Sequence, residues 1–342
     1  MIPVVPLDRS REAALRALVD GKAKPLGALG RIEDLAVRLA LISGREDPSF
    51  DKALLLVFAG DHGLNQAGVS AYPSAVTTAM VATLLAGRAS ANAFARVVGA
   101  EVRVVDAGVA ADLAPHPALV DAKVRRGTRN AASQPALTPD EVQSALARGA
   151  AVARRAVEAE GFDILAVGEM GIGNSASAAL ILHRLAPAPL ADCIGLGAGH
   201  DAEGLARKHA VLAQAAARSD ASDPPGVLAE FGGLEIIAMA GAILGAAAAR
   251  TPVLVDGFIA STAALAAIRL EPAAADYCIF AHRSAEKGHA LVLEAAGAEP
   301  LVDLSMRLGE GTGALLALPM VRAAAALLSE VASLDDVLAG RL

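Results

Sequence analysis

The chain reads as an α/β protein, an open parallel sheet with helices on both faces, with a small helical unit built from the two chain ends. Three observations predict this. Short apolar runs alternate with helical patterns, so successive βαβ units and a parallel sheet follow. The runs Ala53–Ala59 and, after Asp163, Ile164–Val167 are apolar without interruption, as strands covered on both faces must be. Polar and glycine-rich residues follow one strand after another, which places one site at the carboxyl edge of the sheet near a switch point.

Taken in order, residues 10–43 read as two amphipathic helices, Ser10–Asp20 and Arg31–Ile42, parted by the turn-forming Lys22–Gly30. The first strand, Ala53–Ala59, ends in Gly60-Asp61-His62-Gly63; Ser70-Ala71-Tyr72-Pro73 and helices around Ser74–Ala86 and Ser90–Val98 follow. Strand Glu101–Asp106 then leads to Gly127-Thr128-Arg129-Asn130, the long helix Pro139–Ala159 and strand Asp163–Val167. After helix Ser175–Arg184 a short strand is expected at Asp192–Leu196, ending in Gly197-Ala198-Gly199-His200-Asp201, with a helix through Lys208. Helix Leu234–Ala249, strand Pro252–Val255 with Asp256-Gly257, helix Ser261–Ile268, and strand Tyr277–Ala281 with His282-Arg283-Ser284 come next. Strand Pro300–Leu304, the loop Arg307–Gly313 and the Ala-rich helix Ala314–Val331 close the pattern. The first helices and the last contain no strand. The expected division is therefore 1–45 with about 314–342 as a small helical domain, and 46–313 as the nucleotide-binding body.

A hydrophobic content of 54% suffices for a large core, and with 3% aromatics and no Trp that core must be packed with Ala, Leu, Val and Ile. The net charge of −7 argues against nucleic-acid or anionic-membrane partners, which favour basic patches. Cys193 and Cys278 sit in apolar stretches without metal-ligand spacing and read as buried free thiols. The start, Met1–Asp8, lacks a basic region and a continuous apolar core, so a cytoplasmic protein is expected rather than an exported one. The nearest thing to a membrane span, Ile236–Ala249, is too short and reads as a buried helix.

The stretch richest in chemistry is Gly168-Glu169-Met170-Gly171-Ile172-Gly173-Asn174-Ser175, between a strand and a helix. Backbone N–H groups and the positive end of a helix dipole meet there, and glycines let a ligand approach the backbone. A phosphate fits; Glu169 would repel it and suits a cationic or hydroxyl-bearing part of the same ligand. A plain glycine turn capped by Asn174 or Ser175 satisfies the same pattern. Other chemistries find less support. Asp61-His62 and His200-Asp201 lack a metal-binding spacing, no G-x-S-x-G marks a serine nucleophile, and Gly171-Ile172-Gly173 is not completed to G-x-G-x-x-G. The loop Asp256–Thr262 has one acid and no Gly-Thr, so it does not suit a magnesium-pyrophosphate substrate. Asp256 suits a ribose hydroxyl or the cap of the following helix equally.

The loops together resemble the nicotinate-nucleotide:dimethylbenzimidazole phosphoribosyltransferase family of cobalamin biosynthesis. The resemblance runs from Lys24-Pro25-Leu26-Gly27-Ala28-Leu29-Gly30-Arg31 to Gly309-Glu310-Gly311-Thr312-Gly313, through Gly60–Gly63, Gly68–Pro73, Gly127–Asn130, Gly168–Ser175, Asp256-Gly257 and His282–Glu286. It implies a Rossmann-like sheet with a helical domain from both chain ends, a homodimer, and neither metal nor cofactor. It implies Glu310 as general base, and Glu169, Gly171 and Gly173 lining the ribose-phosphate pocket with Lys208, Asp256 and Ser284. Asn174, Ser175, Gly309, Gly311, Thr312 and Tyr72 join the substrate-binding set, and Ser70 lies near the aromatic base. Thr78 stands where many members carry Gln, and its shorter side chain puts the polar contact to the base in doubt. The implied reaction joins nicotinate mononucleotide and 5,6-dimethylbenzimidazole to give α-ribazole 5'-phosphate and nicotinate. A non-catalytic nucleotide-binding protein of the same fold, or transfer to adenine or a phenol, are the alternatives.

Overall fold

The two uninterrupted apolar runs lie side by side at the centre of the sheet. In the computed structural model, which describes residues 2–197, 199 and 201–341, they are β1 (Ala53–Gly60) and β4 (Ile164–Met170), paired in parallel with Ala53 opposite Ile164. Between them in the chain come β2 (Ala100–Gly108) and β3 (Leu119–Asp121), and after them β5 (Val253–Val255) and β6 (Cys278–Phe280). The six strands are all parallel, in the order β3-β2-β1-β4-β5-β6. That order reverses between β1 and β4, so the loops after these two strands diverge and leave a crevice at their carboxyl ends.

Three details of the pattern change. Asp192–Leu196 is not a strand: Leu190–Cys193 makes one helical turn after Pro189, and the Gly195 carbonyl is taken by Lys208 Nζ. Both edges of β4 and of β5 are already paired, so the segment has no place between them in the sheet. The expected strand Pro300–Leu304 shrinks to β8 (Val302–Asp303), which pairs with β7 (His282–Arg283) outside the main sheet. The long helix stops being regular after Arg154 and continues as a π turn over Arg155–Ala159. Strand β3 and the helix Pro224–Phe231 appear where no element was expected. Of the glycine stretch 197–201, Ala198 and His200 lie outside the described residues.

Helix Leu234–Ala248 is buried from Leu234 to Ala247. Small residues make this close packing work: a Cβ on Gly149 or Gly241 would stand 1.8 and 2.1 Å from the carbonyls of Ala238 and Leu146 on the facing helix. Helix Thr312–Ser329 is long and apolar enough to cross a membrane, with mean hydropathy 1.5, but 61% of it is buried and it packs against helix Arg31–Ser43, helix Ser90–Val98 and β4. The chain ends meet beyond it. Lys22 Nζ donates to the carbonyls of Leu328 (2.6 Å) and Val331 (2.8 Å), a cation at the negative end of that helix, and Leu334 N–H reaches Gly21 O. Both cysteines are free and buried, and burial pushes the Cys193 thiol up to about 11 and Cys278 up to about 12, keeping them protonated.

Candidate active site

At the switch point lies an open cavity of about 890 Å³, within the size range of small-molecule sites. Loops after β1, β4, β5, β7 and β8 line it, with the starts of helices Ala75–Leu85, Ser90–Val98, Asn174–Leu185 and Phe258–Leu270. After β4 the chain turns through Gly171-Ile172-Gly173 into helix Asn174–Leu185, whose cap Gly173 has φ +96°. Only glycine takes that conformation without strain. Thr77 Oγ1 accepts the Ile172 N–H at 3.1 Å and fixes the turn from the side. Gly173, Asn174 and Ser175 face the cavity, so the positive end of this helix opens onto it.

A cation stands behind that end. Lys208 is fully buried, its Nζ 2.9 Å from Ser175 Oγ and 3.0 Å from Gly195 O, and burial pushes its ammonium down to about 8. Its hydrogen-bond partners among the described residues are neutral, though the Glu286 carboxylate acts on it through space, and the ammonium faces an anion placed next to Ser175. Arg307 lines the same end and donates to Gly197 O.

The adjoining wall is acidic. Glu169 is 8% exposed, takes a short hydrogen bond from Asn174 Nδ2, and has its pKa pushed up to about 8, first by burial and then by Asp256 and Glu235. Asp256 is buried too. Its Oδ2 accepts the Gly311 N–H (3.1 Å), and its Oδ1 those of Gly313 (2.7 Å) and Ala314 (3.0 Å). It does cap a helix, but the distant Thr312–Ser329 rather than the one that follows it. Burial raises its pKa against the pull of His282 and those N–H groups.

That cap fixes Glu310, which comes just before it. Gly309, Glu310 and Gly311 have φ of +88°, +61° and +82°, three consecutive residues in the left-handed region. For a Glu this costs about 1–3 kcal/mol and persists only where the surroundings enforce it. Here they do: Thr312 Oγ1 donates to Gly309 O (2.8 Å), Asp256 grips Gly311, and a Cβ on Gly168 would lie 2.2 Å from Gly311 N, so the loop lies hard on β4. The Glu310 carboxylate is 2% exposed and its Oε2 finds no hydrogen-bond partner among the described residues. Burial raises its pKa above the usual carboxylate range, offset in part by the Ala91 N–H.

The remaining wall is apolar: Val69, Val76, Met80, Phe94, Leu308 and Leu316. Ser70, Ser284 and the half-exposed Tyr72 also line the cavity, Ser70 Oγ accepting the Tyr72 N–H. Of the residues expected in the site, the structure brings together Ser70, Tyr72, Glu169, Gly171, Gly173, Asn174, Ser175, Asp256, Ser284, Gly309 and Glu310 on one surface. Lys208, Gly311 and Thr312 stand behind it. Thr78 is not on the wall; its helix shows the cavity Val76 and Met80, two residues to either side, positions about 160° away around the helix. Arg307, Phe94, Met80 and Leu316 line the cavity without having been expected. Arg307 was legible as a cation beside a glycine loop, whereas the three apolar residues carry no local signal.

Glu169 links pH to stability. Its carboxyl stays protonated in the fold up to about pH 8, while an exposed Glu ionises from 4.5, so the folded protein holds the extra proton. Stability present below the lower value is therefore lost as pH rises through the higher one. Melting temperature should fall between about pH 5 and about pH 8, and Glu169→Gln should reduce that slope. Equal slopes in both proteins would show that Glu169 is not the group concerned.

The same outline recurs in known proteins. The family model described as phosphoribosyltransferase matches residues 4–337. The nicotinate-nucleotide–dimethylbenzimidazole phosphoribosyltransferase of Dechloromonas aromatica is 51% identical over 333 residues, 96% of this chain and 95% of that protein. The enzyme of that name from Ralstonia nicotianae is 54% identical over 95% of this chain and 93% of its own. The crystal structure of CobT from Thermus thermophilus matches with a TM-score of 0.92 at 43% identity, over 95% of this chain and 98% of that one. With near-complete coverage in sequence and in fold, the chain belongs to the nicotinate-nucleotide–dimethylbenzimidazole phosphoribosyltransferase family.

Proposed function

We propose that this chain transfers the phosphoribosyl group of nicotinate mononucleotide to 5,6-dimethylbenzimidazole, giving α-ribazole 5'-phosphate and nicotinate, with Glu310 as the general base. One observation carries the reading: a buried carboxylate on a strained backbone, with its Oε2 lacking a hydrogen-bond partner among the described residues, stands on a cavity that has a cationic helix start and an apolar wall. The phosphate goes to the Gly173–Ser175 helix start, with Lys208 and Arg307 behind it. The ribose lies along Glu169, Ser284 and the loop at Asp256, and the flat base against Met80, Phe94 and Leu316. Protonated Glu169 is then a hydrogen-bond donor and places no negative charge beside the phosphate.

The chemistry asks little beyond position. One imidazole nitrogen of the base attacks the anomeric carbon as the bond to the pyridinium nitrogen breaks. The bonding pair neutralises that ring and frees nicotinate, and the proton on the other imidazole nitrogen passes to Glu310. A leaving group that is already cationic needs no Lewis acid. Turnover should therefore persist in excess EDTA; complete loss that added divalent metal restores would overturn this route. Incubation with nicotinate mononucleotide and a panel of bases, with products identified by mass, tests the reading and the acceptor together. The apolar wall suits methylated benzimidazoles better than adenine, whose exocyclic amine would be left without a partner there. A merely nucleotide-binding protein has no use for a strained buried Glu, and that reading is not favoured.

The division into a body of 46–313 and a helical unit of 1–45 with about 314–342 belongs to this proposal, supported by the bonds that join Lys22 and Gly21 to the chain end. So do a cytoplasmic location and a homodimer. Support for the dimer comes from Tyr72 and Leu308, apolar side chains about half exposed at the cavity itself.

A further inference from the structure

We propose that the buried pair His62–Glu235, which does not line the cavity, is a positioning device for the glycine turn and an electrostatic control on Glu169. This inference rests on the nucleotide reading above. His62 Nε2 lies 2.6 Å from Glu235 Oε1, and the two side chains are 1% and 0% exposed. The pair sits beneath the crevice where β1 and β4 diverge. Glycines from three loops close around it. A Cβ on Gly60 would stand 2.6 Å from Glu235 Oε2, and one on Gly233 would stand 2.4 Å from His62 Cε1. Added Cβ atoms on Gly171 and Gly173 would lie 3.5 Å from His62 Nε2 and His62 Cβ. The underside of Gly171-Ile172-Gly173 thus rests on the imidazole, while its upper side faces the cavity.

A turn whose outer residues are glycines has little side-chain packing of its own, so its shape depends on what supports it. Thr77 supplies one support through Ile172, and His62 fills the space below. An ordinary helix-start acid explains Glu235 in part, since it stands in the first turn of Leu234–Ala248. It does not explain why a full ion pair is buried there, where desolvation makes charges costly unless matched.

The charge balance gives the pair its second role. Burial opposes protonation of His62, yet Glu235 and then Asp61 outweigh it and raise its pKa. The protonated imidazole offsets the charge of Glu235, which otherwise adds to that of Asp256 and Glu310 around Glu169. Among the described residues, the hydrogen bond from Asn174 acts the other way. Changing His62 therefore alters both the turn and the proton on Glu169.

Three variants separate this role from plain stabilisation. His62→Ala should raise the KM for nicotinate mononucleotide by about 10- to 100-fold, the scale of a misplaced binding element, with the KM for the base little changed. His62→Gln, which still donates to Glu235, should restore most of that loss. Glu235→Gln keeps the shape but removes a negative charge. It also leaves the buried His62 without the main charge that holds its proton, so the pair stays neutral and the pH transition in nucleotide binding that Glu169→Gln abolishes should stay in place. His62→Gln, which removes the cation and leaves Glu235 charged, should instead move it to higher pH. Calorimetric binding of nicotinate mononucleotide across pH, with steady-state kinetics, reads all three. Unaltered nucleotide KM in folded His62→Ala and an unmoved transition in folded His62→Gln overturn the inference, as does failure of even the isosteric Glu235→Gln protein to fold. If the wild-type protein does not turn over nicotinate mononucleotide, the functional reading itself is at fault.

Discussion

Glu310→Gln is expected to lower kcat by about 10²- to 10⁴-fold, the usual worth of a positioned general base, while nicotinate mononucleotide still binds. The substitution preserves shape, and Glu310 lies on the cavity wall away from the Gly173–Ser175 helix start. The left-handed backbone is held by Asp256, Thr312 and Gly168 rather than by the Glu310 side chain, so the loop should keep its form. Only the proton acceptor is lost. With burial holding the Glu310 pKa above the usual range, wild-type activity should rise with pH through that raised value as the carboxylate forms, and this limb should vanish in the variant. Steady-state kinetics over pH, beside calorimetric nucleotide binding, check both parts. Near-normal turnover would mean that the proton leaves by another route and that Glu310 is structural.

Gly173→Val should weaken nicotinate mononucleotide binding by about ten-fold or more and leave the fold intact. Space is not the obstacle: an added Cβ would meet Asn65, His62 and Val69 side chains at 3.4 to 3.7 Å, ordinary contact distances. Conformation is. At φ +96° a β-branched residue is strained by about 1–3 kcal/mol, and the turn relieves this by rotating the N–H groups that receive the phosphate. About 1.4 kcal/mol is already a factor of ten in affinity. Calorimetry with unaltered circular dichroism decides it, and unchanged affinity would remove the phosphate from this helix start. Gly168 fails differently. Its Cβ would strike the Gly311 backbone at 2.2 Å, so Gly168→Ala should displace Glu310 and damage turnover more than binding.

What could be read from the chain alone is whatever local composition carries. Uninterrupted runs located β1 and β4, and glycines after them located the loops. Boundaries at helix ends came out within a few residues, as with Arg31–Ser43 and Leu234–Ala248. The short β3 and β5 are three residues each; β5 follows a helix and precedes Asp256-Gly257, whereas β3 lies in an irregular loop with nothing to flag it. Asp192–Leu196 had the composition of a strand, but Leu190–Cys193 turns as a helix and Lys208 takes the Gly195 carbonyl.

For the site the division is similar. Glycine and acid at strand ends announced Glu169, Gly173, Asp256 and Glu310. Local pattern could not tell that Asp256 reaches 55 to 58 residues along the chain to cap the helix after Glu310. Nor could it turn Val76 and Met80 rather than Thr78 toward the cavity, or set His62 on Glu235 across 173 residues. The order of residues was enough to say which backbone conformations and which chemical groups were available. Which groups lost their water, and which charges became neighbours, was settled when the loops packed. Desolvation and Coulomb interaction depend on separation in space, so the raised pKa of Glu169 and the strain at Glu310 came into being with that packing.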